Sequence, residues 1–202
     1  MVGLDINQQL IKEAGKNYSE IPGVQFICTE IDEMGYRNQF DIVTAARVLQ
    51  WVPAYFSLLK SMKEAVKKGG ILHVLDYNHK KAEWTPSLPH FMNLFYKAFL
   101  DWREDAGMDN EIADHLASSF KELSLKAITV HNQDEVSKRS DPDFAEKLGI
   151  WAEVASIRGL KVVEDGFIAE ADRVRAIDEY KAWIRDSSES QILYLRSVEG
   201  IN

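Results

Sequence analysis

FDIVTAARVLQWVP, residues Phe40 to Pro53, decides how this chain is read. Phe40 to Ala46 is an apolar run of strand length with one acid inside it. Pro53 then opens a helix, a position where its missing N–H costs nothing, and Tyr55, Leu58, Leu59, Met62, Ala65 and Val66 fall on one helical face. Lys67, Lys68, Gly69 and Gly70 supply last-turn cations and a glycine stop. Ile71 to Leu75 is nearly continuously apolar, as expected of a strand covered on both faces in a parallel sheet, and Asp76 ends it.

The same alternation runs toward the N-terminus. Val2 to Leu4 is a short apolar stretch ending in Asp5, and Leu10, Ile11 and Ala14 share one face of a helix over Asn7 to Asn17. Glu20 to Gly23 is turn chemistry, and Val24, Phe26, Ile27 and Cys28 form a second strand leading to Glu30, Asp32 and Glu33. Cys28 is the only cysteine and reads as a small core residue. Strand, helix, strand, strand, helix, strand implies a doubly wound, mostly parallel Rossmann-like α/β sheet with helices on both faces. Ligands in such sheets bind at the carboxyl ends of the strands.

The second half is richer in helix. Phe91, Leu94, Phe95, Ala98, Phe99 and Trp102 form one apolar stripe, and Ile112, Leu116, Phe120 and Leu123 another. Ala127 to Asn132 and Gln191 to Val198 read as late strands. Between them lie helices carrying Phe144, Leu148, Trp151 and Ala155, then Val174, Ile177, Tyr180 and Ile184. With no Gly/Ser-rich linker, the 202 residues are expected to form one domain. It comprises a ligand-binding half over 1–80, helices facing a second ligand over 81–125 and a helical insertion over 140–187.

Charge narrows the function classes. The chain has 24 basic and 32 acidic residues and a net charge of −8, with the basic residues scattered, which disfavours a nucleic-acid surface. No apolar run reaches the roughly 20 residues of a membrane span, and no signal-peptide pattern opens the chain, so a cytoplasmic protein without membrane contact is expected. Zinc-ligand spacing, a Gly-x-Ser-x-Gly elbow and a phosphate-binding Gly-Lys-Ser/Thr loop are all missing from the sequence.

The chemistry therefore rests on strand ends. A carboxylate at Asp5 can accept hydrogen bonds from both hydroxyls of an adenosine ribose, and it equally suits a helix cap. Twenty-five residues on, Glu30 can accept an adenine amino group beside the backbone of Ile31, or stand as a solvated loop acid.

These two acids, Phe40-Asp41-Ile42-Val43, the Leu49-Gln50-Trp51 turn and the Lys68-Gly69-Gly70 stop together resemble a class I S-adenosylmethionine-dependent methyltransferase. The resemblance spans residues 1 to 80 and the closing strand near Gln191 to Val198. It implies that Asp5 with Ile6, Glu30 with Ile31, and Ala46 with Arg47 hold S-adenosylmethionine. It also implies that Gln50, Trp51, Asp76, Tyr77 and Trp84 face a small-molecule acceptor. Arg47 can pair with an acceptor carboxylate, and His79 can act as general base or stand as a surface histidine. Trp51 suits a pocket wall or simple packing, and Trp84, near Pro86 and Pro89, a flap or a loop anchor.

One departure stands at the front. None of the 11 glycines is separated from another by a single residue, so the Gly-x-Gly-x-Gly turn of that family, expected with its first strand about 20 residues before Met1, does not occur in this sequence. That strand would lie centrally, and a sheet without it has unpaired edges facing a gap. A perturbed or homo-oligomeric structure is expected, and a non-catalytic scaffold is the competing function.

Overall fold

The computed structural model describes residues 1–30 and 35–202. In chain order the elements are β1 (Val2–Asp5), α1 (Gln8–Asn17), β2 (Gln25–Cys28), β3 (Phe40–Ala46), α2 (Tyr55–Ala65), β4 (Val66–Thr85), α3 (His90–Asp105) and α4 (Ile112–Glu122). Then follow β5 (Lys126–Asn132), β6 (Glu135–Lys138), α5 (Phe144–Glu164), α6 (Glu170–Asp186) and β7 (Ser190–Ile201). This is the Rossmann-like α/β architecture expected from the sequence.

The sheet comes in two pieces. β1 pairs in parallel with β2, and separately β3 pairs in parallel with β4, while β7 runs antiparallel to β4, β5 and β6. Between the pieces lies a cleft of about 540 Å³, lined by Val2 to Leu4 on one side and by Phe40 and Ile42 to Ala46 on the other. No hydrogen-bonded pairing joins the two pieces among the described residues.

Two apolar cores hold the rest. Leu58, Leu59 and Met62 of α2 and Ile112, Leu116 and Phe120 of α4 cover Leu72 and Val74 of β4. Ile71, His73 and Leu75, on the opposite face, are only half-buried, so the expectation of cover on both faces is corrected. The second core joins α3, α5 and α6 through Phe95, Phe99, Leu148, Trp151, Ala155, Ala176 and Tyr180.

Several elements differ locally from their sequence readings. α2 starts two residues after Pro53 and stops at Ala65, before the Lys-Lys-Gly-Gly run. That run lies inside β4, where the register slips between Phe40 and Ile42. Gly69 takes the left-handed φ of 81° there, and a side chain on Gly70 would sit 2.7 Å from the Asp41 carbonyl. The glycines serve a strand irregularity, a role that a helix stop mimics in sequence. On α6 the buried face is Arg173, Ala176, Tyr180 and Trp183, and Val174 is exposed. Cys28 is also exposed, which corrects its assignment to the core.

Candidate functional site

The first cluster sits at the ends of β1 and β2. Asp5 pairs in register with Cys28, which brings Glu30 to the neighbouring strand end. The Asp5 carboxylate accepts the Asn7 N–H at 2.7 Å, and Asn7 in turn caps α1 by accepting from Gln9 and Leu10. Asp5 thus shapes the turn and is not the cap itself. Glu30 and Ile6 are exposed, and Ile31 lies outside the described residues. Across the cleft, Ala46 ends β3 and lines the same space as Leu4.

Arg47 follows with φ of 60°, a left-handed conformation that costs a non-glycine residue about 1 kcal/mol. Its N–H bonds the Leu75 carbonyl at 2.8 Å, turning the chain sharply out of β3. The guanidinium pairs with the Glu135 carboxylate and lies 5.4 Å from the centre of the Tyr77 ring. The Tyr77 hydroxyl donates to Glu135 at 3.2 Å. Burial first, and then the Glu135 charge, raise the Tyr77 pKa. Arg47 therefore has a carboxylate partner within the chain.

Behind this mouth is a buried polar network. The Asp76 carboxylate accepts the N–H groups of Gln50 at 3.1 Å and Tyr77 at 3.0 Å. Burial pushes its pKa up to about 6 against those bonds and the Arg103 charge. The Gln50 side-chain N–H faces the Arg47 carbonyl at 3.3 Å, so its oxygen accepts from Nε2 of His79 at 2.5 Å. His79 is buried, with its pKa lowered to about 3 by burial and then by Arg103. This corrects the expectation of a surface histidine, and a neutral imidazole whose N–H is committed to Gln50 is a weak general base.

Arg103 locks the network from α3. Its Nε donates to Asn110 at 2.7 Å and one terminal nitrogen to the Gln50 carbonyl at 2.7 Å. The guanidinium also lies 4.8 Å from the Trp51 ring. Trp151 packs edge-on to His79, Trp84, Tyr96 and Phe99. With its amide turned to accept, Gln191 takes the indole N–H groups of Trp84 at 2.6 Å and Trp151 at 3.1 Å. Trp84 is thus built into the end of β4 against α3 and α5 and is no free flap, because Ser190–Gln191 of β7 pairs with Trp84–Thr85.

Sequence reasoning missed Glu135, Tyr96, Arg103, Asn110, Trp151 as a site wall, and Gln191. Only Arg103 carried a readable signal. It continues the α3 stripe of Phe95 and Phe99 at a spacing of four, an arginine on a core-facing position.

Residues 1–74 match the family described as "Methyltransferase domain". A demethylmenaquinone methyltransferase of Bacillus licheniformis is 27% identical over 141 residues, covering 64% of this chain and 61% of the relative. Its Bacillus subtilis counterpart is 26% identical over 140 residues, with 64% and 58% covered. The chain thus spans about three-fifths of the length of these curated relatives. Among solved structures, YcgJ protein from Bacillus subtilis superposes with a TM-score of 0.59 at 15% identity, over 100% of this chain and 81% of that one. A Haemonchus contortus phosphoethanolamine N-methyltransferase 2, in complex with phosphomonomethylethanolamine and S-adenosylhomocysteine, gives 0.57 at 14% identity, over 100% and 43%. The resemblance read from Asp5, Glu30 and the Leu49 to Trp51 turn is borne out by the matched family and by the fold.

Proposed function

We propose that this chain, whose first 74 residues match a methyltransferase domain, transfers the methyl group of S-adenosylmethionine to a small-molecule acceptor. The reading is supported by Asp5 at the end of β1 and Glu30 two residues past the end of β2, its parallel neighbour, with Leu4 and Ala46 both lining the cleft alongside. Carboxylates at such ends suit the ribose hydroxyls and the adenine amino group. These residues fit the adenosine half of the cofactor.

The bound cofactor supplies a methyl group on a sulfonium, which moves by in-line displacement and needs alignment more than a nucleophile. The chain's own part is positioning. Asp76, Gln50, His79 and Arg103 hold the Leu49 to Trp51 turn rigid by hydrogen bonds at both its backbone and side chains. Trp51 and Tyr77, both partly exposed, wall the acceptor side. An acceptor carboxylate would compete with Glu135 for Arg47, so Glu135→Gln would be expected to strengthen binding of such an acceptor.

Calorimetric titration with S-adenosylhomocysteine tests the reading. The expected result is measurable binding that weakens at least about tenfold in Asp5→Ala, the loss of one charged hydrogen-bonding partner. No heat at millimolar ligand from a folded chain would instead favour the second reading, a non-catalytic methyltransferase-like scaffold. That reading is favoured by the divided sheet.

A further inference from the structure

We propose that the groove between α5 and α6 is where a second copy of this chain docks, through a two-fold contact in which each copy seats Ile157 over the other's Gly149. One helix carries both halves of that contact. Gly149, Glu153 and Ile157 follow one another at intervals of four, so they stand in a row on α5, with Ile157 about 12 Å along the helix from Gly149. Ile157 is 70% exposed. A Cβ on Gly149 would meet nothing within 4 Å, so the row has a projection at one end and a hollow at the other. α6 walls the hollow. Tyr180 donates to the Leu148 carbonyl at 3.1 Å and Arg173 to the Ala155 carbonyl at 2.9 Å, so the two helices run antiparallel. Lys181 therefore lies level with Gly149, and with Ile184 it closes the α6 side of a groove of about 400 Å³.

Apolar exposure and charge select the occupant. α5 buries Leu148, Trp151 and Ala155 on its core face, yet Ile150, Ile157 and Leu160 are exposed on the other side. A surface helix with one core face has no use for a second apolar face unless something covers it. Lys147 and Lys161 on the same helix are matched locally, by Asp143 at 2.9 Å and by Glu164 at 3.0 Å. Glu153 and Lys181 both line the groove and make no ion pair among the described residues. The occupant must bring a cation to Glu153, an anion to Lys181 and, one helical turn from that anion, an apolar side chain to Gly149. This chain carries that set itself. Turned about a two-fold axis near Glu153, a second copy brings its Lys181 to Glu153, its Glu153 to Lys181 and its Ile157 to Gly149. The two Glu153 carboxylates meet near the axis, and the two Lys181 ammonium groups close the four charges into two pairs.

Sedimentation equilibrium of the whole chain, from micromolar to millimolar concentration, tests the proposal. The expected result is a reversible monomer–dimer equilibrium. Ile157→Ser and Lys181→Glu should each weaken the dimer at least about tenfold, as loss of an apolar anchor or of a facing charge does at an interface. Both side chains are exposed, so the melting temperature of the dilute, monomeric chain should not change. Glu153→Lys combined with Lys181→Glu exchanges the two charges and should return the dimer to within about threefold of wild type, since each pair is restored. A chain that stays monomeric at millimolar concentration would overturn the proposal, leaving the groove to a different protein or to none. A dimer that Ile157→Ser and Lys181→Glu leave unchanged would also overturn it, by placing the contact elsewhere. So would an exchanged variant as weak as Lys181→Glu alone, because the two charges would then not face each other. No readout involves cofactor binding, so failure here leaves the methyltransferase reading untouched.

Discussion

Asp76 and His79 sit in one network and titrate in opposite senses. Asp76 is raised to about 6, so the folded chain holds its proton more tightly than the unfolded one. Its contribution to stability is present below about pH 4 and is lost as pH rises through 6. His79 is lowered to about 3, so its contribution is present above its ordinary 6.5 and is lost as pH falls toward 3. Asp76→Asn separates the two. An amide must turn its NH₂ toward the N–H of Gln50 or Tyr77, at a cost of about 1–3 kcal/mol. The gap between wild type and variant should narrow as pH rises from 4 to 7 in urea unfolding at fixed pH. A gap that stays flat or widens would remove Asp76 as a buried, raised acid. Asp5 was legible as a strand-end acid because a strand end is marked by where an apolar run stops, whereas Asp76, read the same way, lies inside β4, which runs on to Thr85 through its pairing with β7. The burial of His79 was not legible, since it depends on Trp151 and Phe99, which arrive from other helices.

At the scale of elements, two glycines of α5 make a matched pair. A Cβ added at Gly149 would meet nothing within 4 Å, whereas on Gly159 a Cβ would meet Arg173 at 2.9 Å and Phe95 at 3.1 Å. Arg173 cannot swing away freely, because it is held by Glu170 at 2.6 Å and by the Ala155 carbonyl at 2.9 Å. Alanine gains about 1 kcal/mol over glycine inside a helix. Gly149→Ala should therefore stabilise by about that amount. Gly159→Ala should destabilise, because overpacking costs about 1–3 kcal/mol. Denaturant midpoints decide it, and equal shifts would mean that α5 and α6 pack less closely than described. The stripes of α3, α4 and α5 were readable from 3.6-residue spacing. The face of α6 was misplaced by about one position because Arg173, a charged residue, occupies its core side.

For the whole molecule, the two pieces of sheet should differ in stability. Residues 1–30 contain no fully buried residue, and β1 and β2 form a two-stranded unit backed by α1 alone among the described residues. β4 and β7, by contrast, put Val66, Leu72, Val74 and Val198 into a buried apolar core. A two-stranded unit with little burial opens locally. Amides in the β1–β2 ladder should exchange at least about a hundredfold faster than those of Leu72, Val74 and Val198, measured by native-state hydrogen exchange. Similar rates would show that the pieces unfold as one. From the sequence alone came the α/β class, the order of the elements apart from β6, the acid that ends β1 and the resemblance to methyltransferases, because these are written in short-range periodicity and spacing. The tertiary structure alone decided that one face of β4 stays open, that Arg47 is paired with Glu135, that His79 is sealed in a polar network and that two strand edges share one cleft. Each of these depends on which distant residues meet, and spacing along the chain does not carry that information.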